Sequence, residues 1–194
     1  MSEHVCPWWI GYFLISPLRR WRQDPHEILS PYVREGMTVL EPGPGMGFFT
    51  LELARLAGSA GRVIAIDVQK QMLEKLKRRA AKHGLSERIE ARLAGKESMA
   101  LNELAGKADF ALAFAVVHEM PAAARFFRET AEALKPGASL LLAEPKGHVK
   151  AAQFEAELKS AAEAGLELES QPPIRGSHTA LLRKRASVRQ DRIR

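Results

Sequence analysis

The sequence predicts an α/β fold in three layers, with a mostly parallel sheet between helices on both faces. Three observations carry this. Strand-like apolar runs alternate along the chain with helix-length amphipathic segments. Two of the runs, residues 108–117 and 139–143, are apolar almost throughout, as parallel strands buried on both faces are. A glycine-rich turn, Gly43-Pro44-Gly45-Met46-Gly47, links an apolar run ending in Glu41 to an amphipathic segment, and the next short strand ends in Asp67.

Residues 1–23 precede the first predicted helix. Within them residues 8–15, Trp-Trp-Ile-Gly-Tyr-Phe-Leu-Ile, form the most apolar stretch of the chain, too short to span a bilayer and bounded by Pro7 and Pro17. Arg19, Arg20 and Arg22 follow that stretch, and no small-residue cleavage site comes after it, which argues against a secretory leader. Three roles stay open for this segment. It is a packed N-terminal arm, a lid that brings Trp8, Trp9 and Tyr12 to a substrate, or an interfacial anchor with tryptophan and arginine at the water boundary.

Asp24-Pro25-His26-Glu27 is a helix start, with Asp24 as N-cap, Pro25 at the first helical position and Glu27 placed for a capping box. That helix runs to about Val33, and Gly36 separates it from a first strand at residues 37–41. A helix at residues 48–57 closes at Gly58 and leads to a strand at residues 62–67. Residues 70–83 place Met72, Leu76 and Ala80 on one stripe with Leu73 beside it, and Gly84 stops that helix. Residues 89–93 read as a third strand and 108–117 as a fourth. Pro121 opens a helix through Leu134, ended by Lys135-Pro136-Gly137, and residues 139–143 form a fifth strand. A helix over 150–164 turns Phe154, Leu158, Ala161 and Ala162 inward. Residues 166–170 and 178–183 close the chain as strands, with Pro172, Pro173 and Gly176 between them.

The composition fits one domain at residues 24–183. With 194 residues, 46% hydrophobic and 27% charged, the chain can bury a sizeable core, and it has no internal repeat. Cys6 is the single cysteine, which permits no intrachain disulfide and no cysteine-based metal site and fits a reducing, cytoplasmic compartment. The net charge of +6 is localised: from Arg183 onward six basic residues face only Asp191, so five of the six excess charges lie there. Residues 184–194 are therefore expected to be a disordered basic tail, able to contact phosphates but more simply read as a solvated terminus.

The glycine pattern is GxGxG with Glu41 two residues before it, unlike the GxGxxG of pyrophosphate-binding turns. The window EPGPGMG through AIDVQ resembles the class I S-adenosylmethionine-dependent methyltransferases. LKPGASLLLAEP adds to the likeness, with Ala138 where the family often has a second glycine. The resemblance covers about residues 25–183. It implies a Rossmann-like, seven-stranded sheet with an antiparallel last strand, S-adenosylmethionine as cofactor and methyl transfer as activity. It further implies that Gly43, Gly45 and Gly47 face the methionine moiety, Asp67 the ribose, and Val68 and Gln69 the adenine side. In the third-strand loop many family members have Gly-Asp where this chain has Ala94-Gly95, so the backbone or Glu97 must replace that contact.

Ligands in open α/β sheets bind at the carboxyl ends of the strands. Glu41, Gly95, Lys96 and Ala115 fall at such ends and join the cofactor candidates; Glu144, at the end of the fifth strand, is a substrate candidate. His118 and Glu119 follow the fourth strand and are the candidates for proton transfer, His118 as base or orienting group and Glu119 holding its tautomer or capping the next helix. No metal site is expected. No Asn-Pro-Pro-Tyr type sequence follows the fourth strand, which disfavours amine methylation of DNA or glutamine. A small-molecule acceptor is the leading expectation. The alternatives are an RNA or protein methyltransferase using the basic tail, a nicotinamide-dependent oxidoreductase, and a cofactor-binding protein without catalysis.

Overall fold

A computed structural model describes residues 23–95 and 98–186. Trp8, Trp9, Tyr12, Lys96 and Glu97, named above, lie outside them, as does the end of the chain from residue 187. The elements run α1 (Pro25–Leu29), β1 (Thr38–Pro42), α2 (Thr50–Leu56), β2 (Arg62–Asp67), α3 (Lys70–Lys82), β3 (Ile89–Leu93), β4 (Ala108–Phe114), α4 (Ala123–Ala133), β5 (Leu134–Pro145), α5 (Ala151–Glu163), β6 (Leu166–Ser170) and β7 (Ser177–Lys184).

The seven strands form one sheet in the order β3-β2-β1-β4-β5-β7-β6. All neighbouring pairs are parallel except those made by β7, which runs antiparallel to both β5 and β6. Strand order reverses between β1 and β4, so the ligand crevice expected of such sheets opens above their carboxyl ends. Alternation along the strands divides the core in two. Val39, Val63, Phe110, Leu112 and Leu141 pack against α1 and α2, whereas Leu40, Ile64, Ala111, Leu140 and Leu142 pack against α4 and α5.

Local signals act as their chemistry dictates. The Asp24 side chain accepts from the His26 N–H at 2.8 Å and caps α1, with Pro25 in the first turn. On α3 the buried residues are Met72, Leu73, Leu76 and Ala80, the stripe the sequence shows.

Four expectations need correction. Strand β4 stops at Phe114 instead of reaching Val117, because Ala115 turns to φ +56° and the N–H groups of Val116 and Val117 go to a carboxylate rather than to a neighbouring strand. Strand β5 begins at Leu134, directly after α4, and Lys135 to Ala138 bulge from its pairing with β4 around Gly137 at φ +79°. On α5, Ala162 is exposed and Glu157 takes its place on the inward face, since Phe154, Glu157 and Ala161 share one side of the helix. The expected basic tail starts too early at residue 184. Lys184 is in β7 and donates to the Leu134 carbonyl at 2.6 Å, while Arg183 and Arg185 pair with Glu169 and Glu167 across the β6–β7 ladder, both at 2.6 Å.

Candidate functional site

The glycine turn leaves β1 at Pro42, and each of its glycines is required for a different reason. A Cβ on Gly43 would stand 2.4 Å from the Val116 side chain, so this glycine lets the turn press against the loop after β4. A Cβ on Gly47 would stand 2.4 Å from Leu76 on α3, so Gly47 serves helix packing. Gly45 has φ +54° and open space where its Cβ would be, so here the left-handed backbone alone calls for glycine.

Around this turn stand two buried acids. Glu41 is 3% exposed and its Oε2 has no hydrogen-bond partner. Burial pushes its carboxyl up to about 8, against the nearby Thr50 hydroxyl and with help from the charge of Asp67. Asp67 ends β2 and accepts from the Gln69 N–H at 2.8 Å. Burial raises it to about 6, opposed by the backbone N–H groups of Gln69, Gly45 and Val68; the charge of Glu119 raises it further. Val68, the next residue, is 42% exposed, and Gly95 is exposed at the end of the neighbouring strand β3.

The loop after β4 carries the third group. Ala115 holds a left-handed φ without being glycine, a strained conformation that concentrates at functional sites. Its N–H donates to the Ala143 carbonyl of β5 at 2.7 Å. Glu144 has no exposed surface. Its Oε1 accepts from the N–H groups of Val116 (3.1 Å) and Val117 (2.8 Å), and its Oε2 is hydrogen-bonded to His118 Nδ1. The bond to Glu144 raises the His118 pKa above its ordinary 6.5; burial opposes this, and the charges of Glu144, Glu119 and Glu157 add to it. Glu119 lies on the other side of the ring, with Oε1 3.9 Å from Nε2.

Both carboxylate oxygens of Glu144 are thus engaged within the fold, by Val116, Val117 and His118. Glu119 approaches Nε2, the ring nitrogen opposite the one bonded to Glu144. Two further members of the cluster are not apparent in the sequence. Glu157 reaches in from α5 with Oε2 unpartnered, raised to about 7 by burial and then by the Glu144 charge, with His118 opposing. His148 places its ring 5.7 Å from that of His118 at an interplanar angle of 70°. Glu157 hides in a helical pattern whose apolar neighbours suggest Leu158 and Ala162 instead. Among the described residues no group of three or more His, Cys, Asp or Glu side chains could hold a metal ion, and no helix is long and apolar enough to cross a membrane.

Residues 33–177 match the methyltransferase domain family, and the chain belongs to that family. A crystal structure of an S-adenosylmethionine-dependent methyltransferase from Aquifex aeolicus superposes with a TM-score of 0.82 at 25% identity, over 92% of this chain and 99% of that one. The cyclase SpnF shares the fold with a TM-score of 0.66 at 20% identity, over 87% of this chain and 79% of its own. In sequence, 114 residues are 31% identical to the ribosomal protein L11 methyltransferase of Pelotomaculum thermopropionicum, a match covering 59% of this chain and 34% of that protein. This chain thus spans about a third of the length of that relative.

The cofactor of this family is S-adenosylmethionine, and the residues present fit it. Its amino group matches an orphaned buried carboxyl at Glu41, its ribose diol matches the Asp67 carboxylate, and its flat adenine matches exposed apolar surface at Val68, with Gly45 leaving room for close backbone approach.

Two outcomes follow from this arrangement. Replacing Asp67 with Ala removes a charged hydrogen-bond acceptor and is expected to weaken S-adenosylhomocysteine binding by about 1.5–3 kcal/mol in calorimetry; unchanged affinity in the folded variant contradicts the assignment. The second concerns stability without cofactor. Glu41, Asp67 and Glu157 have ordinary values of 4.5, 3.8 and 4.5 and are raised to about 8, 6 and 7, so between these limits the folded state keeps protons that the unfolded chain has released. The raised His118 adds stability below 6.5 that is lost as pH passes its folded value. All four act in one direction, so urea unfolding is expected to show stability falling as pH rises from about 4.5 to 8. A rise over that interval contradicts the burial of these groups.

Proposed function

We propose that this chain transfers the methyl group of S-adenosylmethionine to a small-molecule acceptor held above the carboxyl ends of β4 and β5, with His118 receiving the acceptor's proton. The observation that carries this is the pinned imidazole: a buried carboxylate is bonded to Nδ1, and Nε2 stands 3.9 Å from Glu119 Oε1. S-adenosylmethionine supplies a sulfonium-bound methyl that is electrophilic without further activation, so the chain's task is to position the acceptor, worth on the order of 7–11 kcal/mol. With Nδ1–H directed at Glu144, the lone pair of Nε2 is the basic site, and the carboxylate stabilises the imidazolium that forms on proton uptake. Gly43 against Val116 brings the cofactor turn and the His118 loop into contact, which is what lets one site hold both partners.

The sequence match to a ribosomal protein methyltransferase favours a second reading, a macromolecular acceptor. Against it, Arg183, Lys184 and Arg185 of the basic cluster are engaged by Glu169, Leu134 and Glu167 within the fold. Incubation with methyl-labelled cofactor and separated small-molecule, RNA and protein fractions distinguishes the two. Label is expected in the small-molecule fraction, and label only in RNA or protein overturns the assignment.

His118→Asn tests the proton transfer. The rate with an identified acceptor is expected to fall at least about tenfold, since a positioned base contributes roughly 10²–10⁴, while affinity for S-adenosylhomocysteine stays unchanged. In the wild type the rate is expected to rise with pH through an apparent pKa above 6.5, the direction in which Glu144 moves His118. The same pH–rate profile in the variant would leave His118 as a structural group.

A further inference from the structure

A cleft of about 600 Å³ opens between the start of β7 and the first turns of α5. That volume lies within the range of small-molecule sites. Its place in the sheet follows from β7 running antiparallel: His178 is the cross-strand partner of Glu144, and Ser177 that of Pro145. Cross-strand partners project to the same face, so His178 shares the face on which Glu144 holds His118. Phe154 of α5 stacks on His178, with ring centroids 5.3 Å apart and planes at 22°, and both rings line the cleft. One turn further along α5, Glu157 is within electrostatic reach of Glu144 and His118. The Phe154–His178 stack therefore stands between the cleft and the His118–Glu144 pair.

The lining has a definite chemistry. Lys146 and Arg175 are both exposed and both line it, against the single carboxylate of Glu155. Their loops are tied together, since the Lys146 N–H donates to the Gly176 carbonyl at 3.0 Å, and the Arg175 carbonyl is held by the Gln23 side chain at 3.0 Å. Ala151, which opens α5, also lines the cleft, and the first turn of that helix carries no acidic side chain. Phe154, Pro173 and Ile174 supply apolar wall beside these cations. Two cations next to an aromatic wall suit a small molecule with a flat apolar body and an anionic head.

We propose that this cleft, set apart from the His118–Glu144 pair by the Phe154–His178 stack, is a binding site of its own for a small aromatic or otherwise flat anion, a carboxylate or phosphate, engaged by Lys146 and Arg175. The test uses the ¹⁵N-labelled full chain titrated with benzoate, phenyl phosphate and the neutral benzamide. Phenyl phosphate, benzoate or both are expected to shift the amides of Gly176 and Ser177 and the His178 ring, with benzamide at least about tenfold weaker. Preference between the two anions tells phosphate from carboxylate. Lys146→Ala combined with Arg175→Ala is expected to weaken anion binding about tenfold, as loss of two exposed charge contacts implies, while its amide spectrum elsewhere stays that of the folded wild type. Absence of shifts in the cleft, equal binding of benzamide, or anion affinity untouched in the double variant overturns the proposal. No cofactor is present in the titration, so failure to bind S-adenosylhomocysteine would remove the methyl-transfer reading without altering this result.

Discussion

Everything distinctive about the site depends on one carboxylate placed where water cannot reach it. Glu144, with no exposed surface, ends a β5 run whose preceding residues Leu140 to Ala143 are all fully buried. A charge taken out of water costs several kcal/mol unless its lone pairs are satisfied. Glu144 meets that condition with two backbone N–H groups and an imidazole. In doing so it ends β4, because Val116 and Val117 give it the N–H groups that another strand would have used. It also sets the loop that presses on Gly43 and aims His118. One side chain thus couples the end of a central strand, the wall of the cofactor turn and the orientation of a base.

The acids around it form a graded set. Asp67 at the tip of β2 keeps three backbone N–H groups around its carboxylate, which limits its rise to about 6, whereas Glu41, with an orphaned oxygen, goes to about 8. Burial is the leading cause in both, and the backbone N–H groups hold Asp67 lower. The acid with more hydrogen bonds to its carboxylate keeps the lower value and suits a diol, and the one with an orphaned oxygen carries unmet capacity that a cationic group of a ligand can satisfy. SpnF shows that this fold also hosts a cyclase, so the fold alone does not define the reaction. The assignment here stands on the side chains at the strand ends.

Much of the architecture is legible in the sequence because it is encoded locally. The stripe on α3, the caps at Asp24 and Gly84, the glycine turn and the acid at the end of β2 each depend on residues within a few positions of one another. What escapes is non-local. His118 and Glu144 are 26 residues apart and meet only because β4 and β5 pair in parallel. The same pairing gives Glu144 its internal partners, the N–H groups of Val116 and Val117 and the His118 ring. Glu157 is inward although polar, which hydrophobic periodicity cannot reveal. The basic residues at 183–185 look like a tail because their partners, Glu167, Glu169 and the Leu134 carbonyl, lie across strands.

The central claim is that Glu144 occupies Nδ1 of His118 and leaves Nε2 as the basic nitrogen, and long-range ¹H–¹⁵N correlation of the imidazole tests it most directly. At a pH above the His118 pKa, where the ring is neutral, the account predicts the Nδ1–H tautomer in the wild type and loss of that preference in Glu144→Gln. An Nε2–H tautomer in the wild type, or an unchanged tautomer in the variant, would contradict it.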